Sequence, residues 1–352
     1  MEVKLEKEEQ MPTLRDIAKL SGTSLATVSR VLNGQRTVNP ELAAKVLKAA
    51  SELGYEKQRG KHEKQTIAVL VTWPSISPSQ SQRDSQYAMM YLHSIYVTAE
   101  KLGYHLVFHF GTQEGSINPF LQWQISTKQF EGALIVGSYF DMEKTYIHHL
   151  QHANIPFFRL TKPPTNFHTL HSYVAVDDYQ GGYKATSHLL SMGITNILHL
   201  AGPQTSRDAL ERKEGFLKAC EEHGLSKKQI SIFQGNFHEL CGEACGEKLA
   251  KEGNLPDGIF AANDMMAIGC MRALKKRGIK IPDDVRLIGF DDIMLASYVE
   301  PGLSTIRVPF DDLAQMATEE LVKQIEFPVR KNTRVLLEGE LLIRDSCGYK
   351  SR

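Results

Sequence analysis

The segment Ser24-Leu25-Ala26-Thr27-Val28-Ser29-Arg30 gathers side chains that can read a nucleic acid. The hydroxyls of Thr27 and Ser29 can hydrogen-bond phosphates or base edges, and Arg30 can fork onto a guanine or hold a phosphate. Leu25 and Ala26 offer only apolar contact, for example to thymine methyls. These groups work together only on the outer face of a short helix that fits a major groove. The flanking sequence predicts that helix. Ser24 caps it, Val28, Val31 and Leu32 form its inner stripe, and Asn33-Gly34 ends it with residues that tolerate a left-handed backbone. A helix before it opens on Thr13-Leu14-Arg15-Asp16, where Thr13 caps and Asp16 reaches back, and stops at Gly22. A third helix starts at Asn39-Pro40 and stops at Gly54. Two helices joined by a tight glycine-containing turn form a helix-turn-helix.

Charge distribution agrees with that reading. The 352-residue chain has no net charge, with 41 Lys and Arg against 41 Asp and Glu. The stretch 11–65 nevertheless carries an excess of basic residues, and the rest of the chain is mildly acidic. A basic end on an acidic body suits a chain that meets phosphate at one end. No apolar run is long enough to span a bilayer. Five cysteines at 220, 241, 245, 270 and 347 form no disulfide or metal pattern, which points to a reducing cytoplasm.

Signals for catalysis are thin. His148, His149 and His152 share one short helix but lack a Glu or Cys to complete a metal set. The Asp-Asp pairs at 177, 283, 291 and 311 fall at turns or helix starts, where Asp favours capping. There is no Gly-x-Ser-x-Gly elbow and no phosphate loop. The expectation is a chain that is not an enzyme and uses neither a metal nor a cofactor.

Beyond a polar linker the pattern changes to strand then helix. Apolar runs at Ile67–Val71, His105–Phe110, Gly132–Val136, Pro156–Leu160, Val174–Val176, Asn196–Leu200, Gly258–Ala261 and Val285–Phe290 alternate with amphipathic stretches. Such alternation predicts parallel sheets covered by helices on both faces. The expected fold is an all-α helix-turn-helix head on an α/β body of two Rossmann-like lobes. The expected divisions are a charged tail 1–10, the head 11–56, a linker 57–65 and the two-lobed body 66–352.

The literal strings narrow this further. Thr13-Leu14-Arg15-Asp16-Ile17-Ala18, followed by Ser24 to Gly34 and by Leu53-Gly54-Tyr55, resembles the head signature of the lactose-repressor/galactose-repressor (LacI/GalR) family. The likeness runs on through Ala201-Gly202-Pro203 with Arg212 and Gly215-Phe216, through Ala262-Asn263-Asp264, and through Val285 to Asp292 and Leu303 to Arg307. It implies a cytoplasmic, homodimeric transcription regulator, a repressor by preference, that binds a pseudo-palindromic double-stranded operator. It also implies a body like the periplasmic sugar-binding proteins, with a small effector, a carbohydrate by preference, between the lobes. Thr13, Ser24 and Asn33 join Leu25, Ala26, Thr27, Ser29 and Arg30 as the expected DNA-binding set. Control by a partner protein, or a sugar-binding module with no DNA role, are the alternatives.

The resemblance carries Arg212 and Asp291 over as effector ligands, a donor fork and a pair of acceptor oxygens that together grip a diol. Asn263 is expected to face the cleft, while Asp264 caps the next helix. Phe237 falls where the family places a stacking aromatic, and core packing explains it equally well. Trp73, at the end of the first strand, is a platform for a sugar or packs beneath the long Ser-rich stretch after it. Ser138 ends the third strand. Thr161 stands where many relatives have Asp, so the first-lobe ligand set differs. Another departure concerns the linker. The family follows Gly-Tyr with a segment that wedges a Leu into the minor groove, whereas Glu56 to Gln65 is short, lacks Leu and contains Gly60.

Overall fold

The computed structural model describes residues 12–32, 38–53, 55, 65–72, 78–111, 117–137, 140–163, 171–327 and 332–349, with backbone alone for 40, 78–88 and 140–142. Three helices come first: α1 (Leu14–Ser21), α2 (Leu25–Leu32) and α3 (Pro40–Glu52). Ile17, Val28, Val31, Leu32, Val46, Leu47 and Ala50 are buried between them and form the core of the head.

The body then alternates strand and helix: β1 (Gln65–Val71), α4 (Pro78–Lys101), β2 (Tyr104–Phe110), α5 (Pro119–Ser126), β3 (Gly132–Val136), α6 (Phe140–His152), β4 (Phe157–Arg159) and β5 (Tyr173–Val176). It continues with α7 (Asp178–Ser191), β6 (Ile197–Ala201), α8 (Arg207–Glu222), β7 (Ile230–Gln234), α9 (Glu239–Glu252), β8 (Gly258–Ala261), α10 (Asp264–Lys276) and β9 (Arg286–Ile288). The last elements are α11 (Met294–Tyr298), β10 (Thr305–Arg307), α12 (Phe310–Glu326), β11 (Arg334–Leu337) and β12 (Glu340–Leu342).

Two parallel sheets result. The first has the order β11-β5-β4-β3-β1-β2 and the second β7-β6-β8-β9. Strand order reverses between β1 and β3 in one and between β6 and β8 in the other, and such reversals open a crevice at the strands' carboxyl ends. The inner strands are buried on both faces, as in the all-buried runs of β3 and β6, because helices cover each side, while the edge strands β2, β7 and β11 are partly exposed. The short antiparallel pair β10–β12 lies where the chain passes between the lobes.

Some elements differ from expectation. The Ser-rich stretch after Trp73, read as a long entry ahead of an amphipathic stretch at 87–102, belongs in large part to α4, which begins at Pro78, a residue whose missing N–H costs nothing in a first turn. Gln65, read as the end of the linker, opens β1; residues 56–64 lie outside the described residues. The edge strand β7 and the short β10 and β12 carry too little apolar pattern to be read from sequence. The head does not stand free of the body either. Trp123 of α5, 3% exposed, is buried in the same cluster as Ile17, Val28 and Val46, with Phe120 stacked beside it at 5.7 Å.

Candidate functional site

Two surfaces collect the expected residues. On the head, Thr13 caps α1 in a reciprocal box, its amide donating to the Asp16 carboxylate at 2.7 Å while Thr13 Oγ1 accepts from the Asp16 amide at 3.4 Å. The Thr13 hydrogen bonds hold the Asp16 carboxyl below its ordinary pKa. Ser24 Oγ accepts the Thr27 amide at 3.1 Å and lies 2.8 Å from Thr27 Oγ1, so α2 begins as the sequence predicts. With Val28, Val31 and Leu32 turned inward, Ser24, Leu25, Ala26 and Arg30 are exposed and Thr27 and Ser29 half-buried. Leu25 is 46% exposed at the helix tip. Asn33 lies outside the described residues, as do Trp73 and Ser138.

The second surface is where the two sheets' strand ends meet. Helices α7 and α8 touch backbone to backbone: a Cβ on Gly182 would lie 2.3 Å from the Arg212 carbonyl oxygen, and one on Gly215 2.1 Å from that of Tyr179. That approach delivers Arg212, 3% exposed, to Asp178 at the start of α7. Arg212 Nε donates to Asp178 Oδ1 at 2.8 Å, and Nη1 donates to the Ala262 carbonyl at 2.6 Å, just past β8. The same Nη1 stands 3.6 Å from Asp291 Oδ1. Below it the guanidinium carbon lies 3.7 Å from the Phe290 ring centroid, and the Phe237 ring is 5.8 Å away.

Asp291 follows β9 with φ at 113°, and Asp292 follows at 59°, a pair of left-handed residues that only a well-tied backbone holds. The ties are the Asp291 amide to the Ile306 carbonyl at 2.8 Å, and Asp292 to Arg307 and Arg344 at 2.8 and 2.6 Å. Asp291 Oδ1 is buried and, among the described residues, has no donor closer than Arg212 Nη1 at 3.6 Å. Burial raises the pKa of both Asp178 and Asp291, and Arg212 opposes the rise in each.

Arg212, Asp291, Asn263 and Phe237 therefore stand together. Asn263 donates Nδ2 to the Phe237 carbonyl at 2.9 Å, and its Oδ1 accepts the Met266 amide. This corrects one reading: Asn263, not Asp264, caps α10. Asp264 turns inward and accepts from Thr305 Oγ1 at 2.6 Å and the Ile293 amide at 2.9 Å.

Thr161 belongs to the other lobe, where its Oγ1 donates to the Gly137 carbonyl at 2.9 Å. Its neighbour Lys162 reaches across the junction to Glu211 of α8, and Arg207 donates both to Glu211 at 2.8 Å and to the Pro163 carbonyl at 2.9 Å. Sequence reasoning did not single out Asp178, Lys162, Glu211, Glu143 or Arg159. The signal for Arg159 was a charged residue inside the apolar run Pro156–Leu160. The signal for Asp178 was the second acid of a pair whose first member, Asp177, caps α7.

Other candidates give little. The rings of His148, His149 and His152 lie against one another, and among the described residues no three His, Cys, Asp or Glu gather as metal ligands. Among the same residues no helix is long and apolar enough to cross a membrane. All five cysteines are unpaired.

Comparison with known proteins matches both parts. Residues 13–58 fit the family described as bacterial regulatory proteins, lacI family, and residues 186–347 fit the periplasmic binding protein-like domain. The HTH-type transcriptional regulator GalR of Streptococcus thermophilus is 32% identical over 96% of this chain and 99% of its own. The HTH-type transcriptional repressor PurR of Pasteurella multocida (strain Pm70) is 30% identical over 97% of this chain and 100% of its own. A solved complex of the transcriptional regulator CelR with cellobiose superposes with a TM-score of 0.71 at 27% identity, over 95% of this chain and 99% of that one. These relatives are named as transcription regulators and repressors rather than enzymes. With likeness of this extent along nearly the whole length of both chains, this DNA-binding transcription regulator belongs to the lacI family of bacterial regulatory proteins.

Proposed function

We propose that the chain is a cytoplasmic repressor whose affinity for an operator is set by a small carbohydrate or carbohydrate derivative held between the lobes. One observation carries the sensing half: Arg212 and Asp291, far apart in the chain, lie 3.6 Å apart beside the ends of the second sheet's strands. A guanidinium with an acceptor oxygen beside it suits a diol. Head, linker and two-lobed body at 11–56, 57–65 and 66–352 are the working parts. The DNA-reading residues are Thr13, Ser24, Leu25, Ala26, Thr27, Ser29, Arg30 and Asn33. Effector contacts come from Arg212, Asp291, Asn263 and Phe237 on one side, and from Thr161, Trp73 and Ser138 on the other.

The reader of a two-fold operator is a homodimer. Exposed apolar side chains that support a self-association surface are Met89 and Tyr96 on α4, and Met294 and Tyr298 on α11, the last two 74% and 78% exposed. An operator titration tests the whole reading. A promoter fragment from beside the chain's own gene should bind tightly, and a sugar that raises the melting temperature should change that affinity. Arg30→Ala should weaken binding by about 1–3 kcal/mol per half-site. Unchanged binding by Arg30→Ala would remove the DNA-reading face from α2.

A further inference from the structure

We infer that the first lobe's half of this site is cationic, built on Arg159, and that the effector carries a negatively charged group, a carboxylate or a phosphate, on a polyhydroxylated frame. The inference rests on the reading that a carbohydrate-like effector sits between the lobes.

Among the described residues, Thr161 gives the first lobe no free acceptor. Thr161 carries no carboxylate, and its hydroxyl is already committed to the Gly137 carbonyl. The charged side chain at the end of β4 is Arg159 instead, 1% exposed. Its Nη2 bonds Glu143 and the Lys162 carbonyl, the latter at 3.3 Å. Its Nε and Nη1 are buried and have no acceptor among the described residues. A buried cationic donor without an acceptor is costly, so native proteins rarely leave one unless a ligand or solvent completes it.

Position points to a ligand. Arg159 ends β4, and its partner Glu143 meets Thr72 Oγ1 at 3.4 Å, just past β1. These are carboxyl ends of first-sheet strands, beside the reversal between β1 and β3. Burial raises the pKa of Asp208 on α8, and the Arg159 guanidinium is close enough across the junction to join Arg212 and Lys162 in opposing that rise. Lys162, three residues on, crosses to Glu211.

The two faces are opposite in polarity. On the first lobe, Arg159 and Lys162 stand beside one buried carboxylate, Glu143, which bonds Nη2 of Arg159 alone, while Lys162 is paired across the junction with Glu211. On the second, the carboxyl groups of Asp178, Asp208, Glu211 and Asp291 outnumber Arg207 and Arg212; burial raises the pKa of the three aspartates, so this face is rich in carboxyl oxygens rather than in full charges, and Asp291 Oδ1 has no hydrogen-bond donor among the described residues. Hydroxyls of a ligand satisfy the acceptor-rich second face. The donors of Arg159 call for acceptor oxygens, and charged oxygens bind a guanidinium more strongly than hydroxyls do. A neutral sugar meets one face well; a sugar acid or sugar phosphate meets both.

The test uses the full chain at pH 7.5 and matched ligands: hexoses, the corresponding uronates and aldonates, and the corresponding sugar phosphates. Thermal melting finds binders and calorimetry measures them. At least one acid or phosphate should raise the melting temperature while its neutral parent at equal concentration does not. The arm that responds identifies carboxylate or phosphate. Arg159→Gln should weaken the bound anion at least tenfold. Glu143→Gln keeps the guanidinium and removes its competitor, so it should bind the anion as tightly as wild type or more so, which guards against reading a misfolded Arg159→Gln as support. If neutral sugars bind and their charged counterparts do not, the inference fails and the sensing role stands. If no carbohydrate of any kind binds, the sensing role fails first and takes the inference with it.

Discussion

His199 makes the second lobe acid-sensitive, and the size of the effect can be worked out. It sits on β6, fully buried, with its ring between Phe216 and Phe260, both centroids 4.9 Å away and nearly parallel. Its Nδ1 lies 2.9 Å from the Phe260 carbonyl, and Nε2 has no partner. Burial lowers its pKa to about 4; the Phe260 carbonyl opposes that, and Lys213 and Arg212 add to it. The unfolded chain takes up the proton near 6.5 and the folded chain only near 4. The neutral ring's contribution is therefore complete above pH 6.5 and drains away as pH falls toward 4. At 1.36 kcal/mol per pH unit this is about 3 kcal/mol in all, and about 2 kcal/mol already at pH 5.

Other groups titrate in the same range, and Glu143, with its raised pKa, runs the opposite way, losing stability as pH rises toward 7. Comparison with His199→Phe isolates the ring. The variant loses one hydrogen bond and adds some bulk, an offset of about 1–3 kcal/mol that does not vary with pH. Urea unfolding followed by circular dichroism at pH 8 and pH 5 should show the wild type losing about 2 kcal/mol more than His199→Phe over that interval. Parallel pH curves for the two proteins would refute the assignment of a neutral, buried imidazole.

Arg212→Met keeps the stem over Phe290 but leaves Asp178 and Asp291 buried without their cation, so the urea midpoint at pH 7.5 should fall by an amount equal to about 3–5 kcal/mol. Trp123→Ala opens the shared core of head and body and should destabilise the head by about 3–5 kcal/mol, seen by calorimetry as an early separate transition. Tyr298→Asp places a charge on the apolar face of α11 and should shift the sedimentation equilibrium toward monomer; an unchanged dimer would move the interface elsewhere.

Local chemistry was legible in the sequence because it is local. The Thr13–Asp16 box, the Ser24 cap and the inward stripe of Val28, Val31 and Leu32 depend on residues within a turn or two of each other. The inner strands of both sheets announced themselves as apolar runs because helices bury them on both faces. Where burial is one-sided or the element is short, as in β7 with its exposed Ser231 and Ile232, no such run exists. The docking of Trp123 into the head was not legible: it joins residues about seventy or more positions apart, and an aromatic on an amphipathic helix gives no sign of which neighbour it meets.

At the site the same division holds, with one instructive exception. Arg212 and Asp291 came from motifs, but their third partner Asp178 looked like one more capping acid, since Asp177 and Asp178 adjoin and only one of them caps. Their roles separate through the approach of α7 and α8, which the small residues Gly182 and Gly215 permit and no local pattern reveals. Arg159 is the exception. A charge within five residues that otherwise read as a buried strand conflicts with its own surroundings, and burying it alone would be prohibitive. A sequence that keeps such a residue must supply a partner, and Glu143, sixteen residues before it, answers part of that requirement. The donors on Nε and Nη1 that Glu143 does not reach are what remains of the conflict.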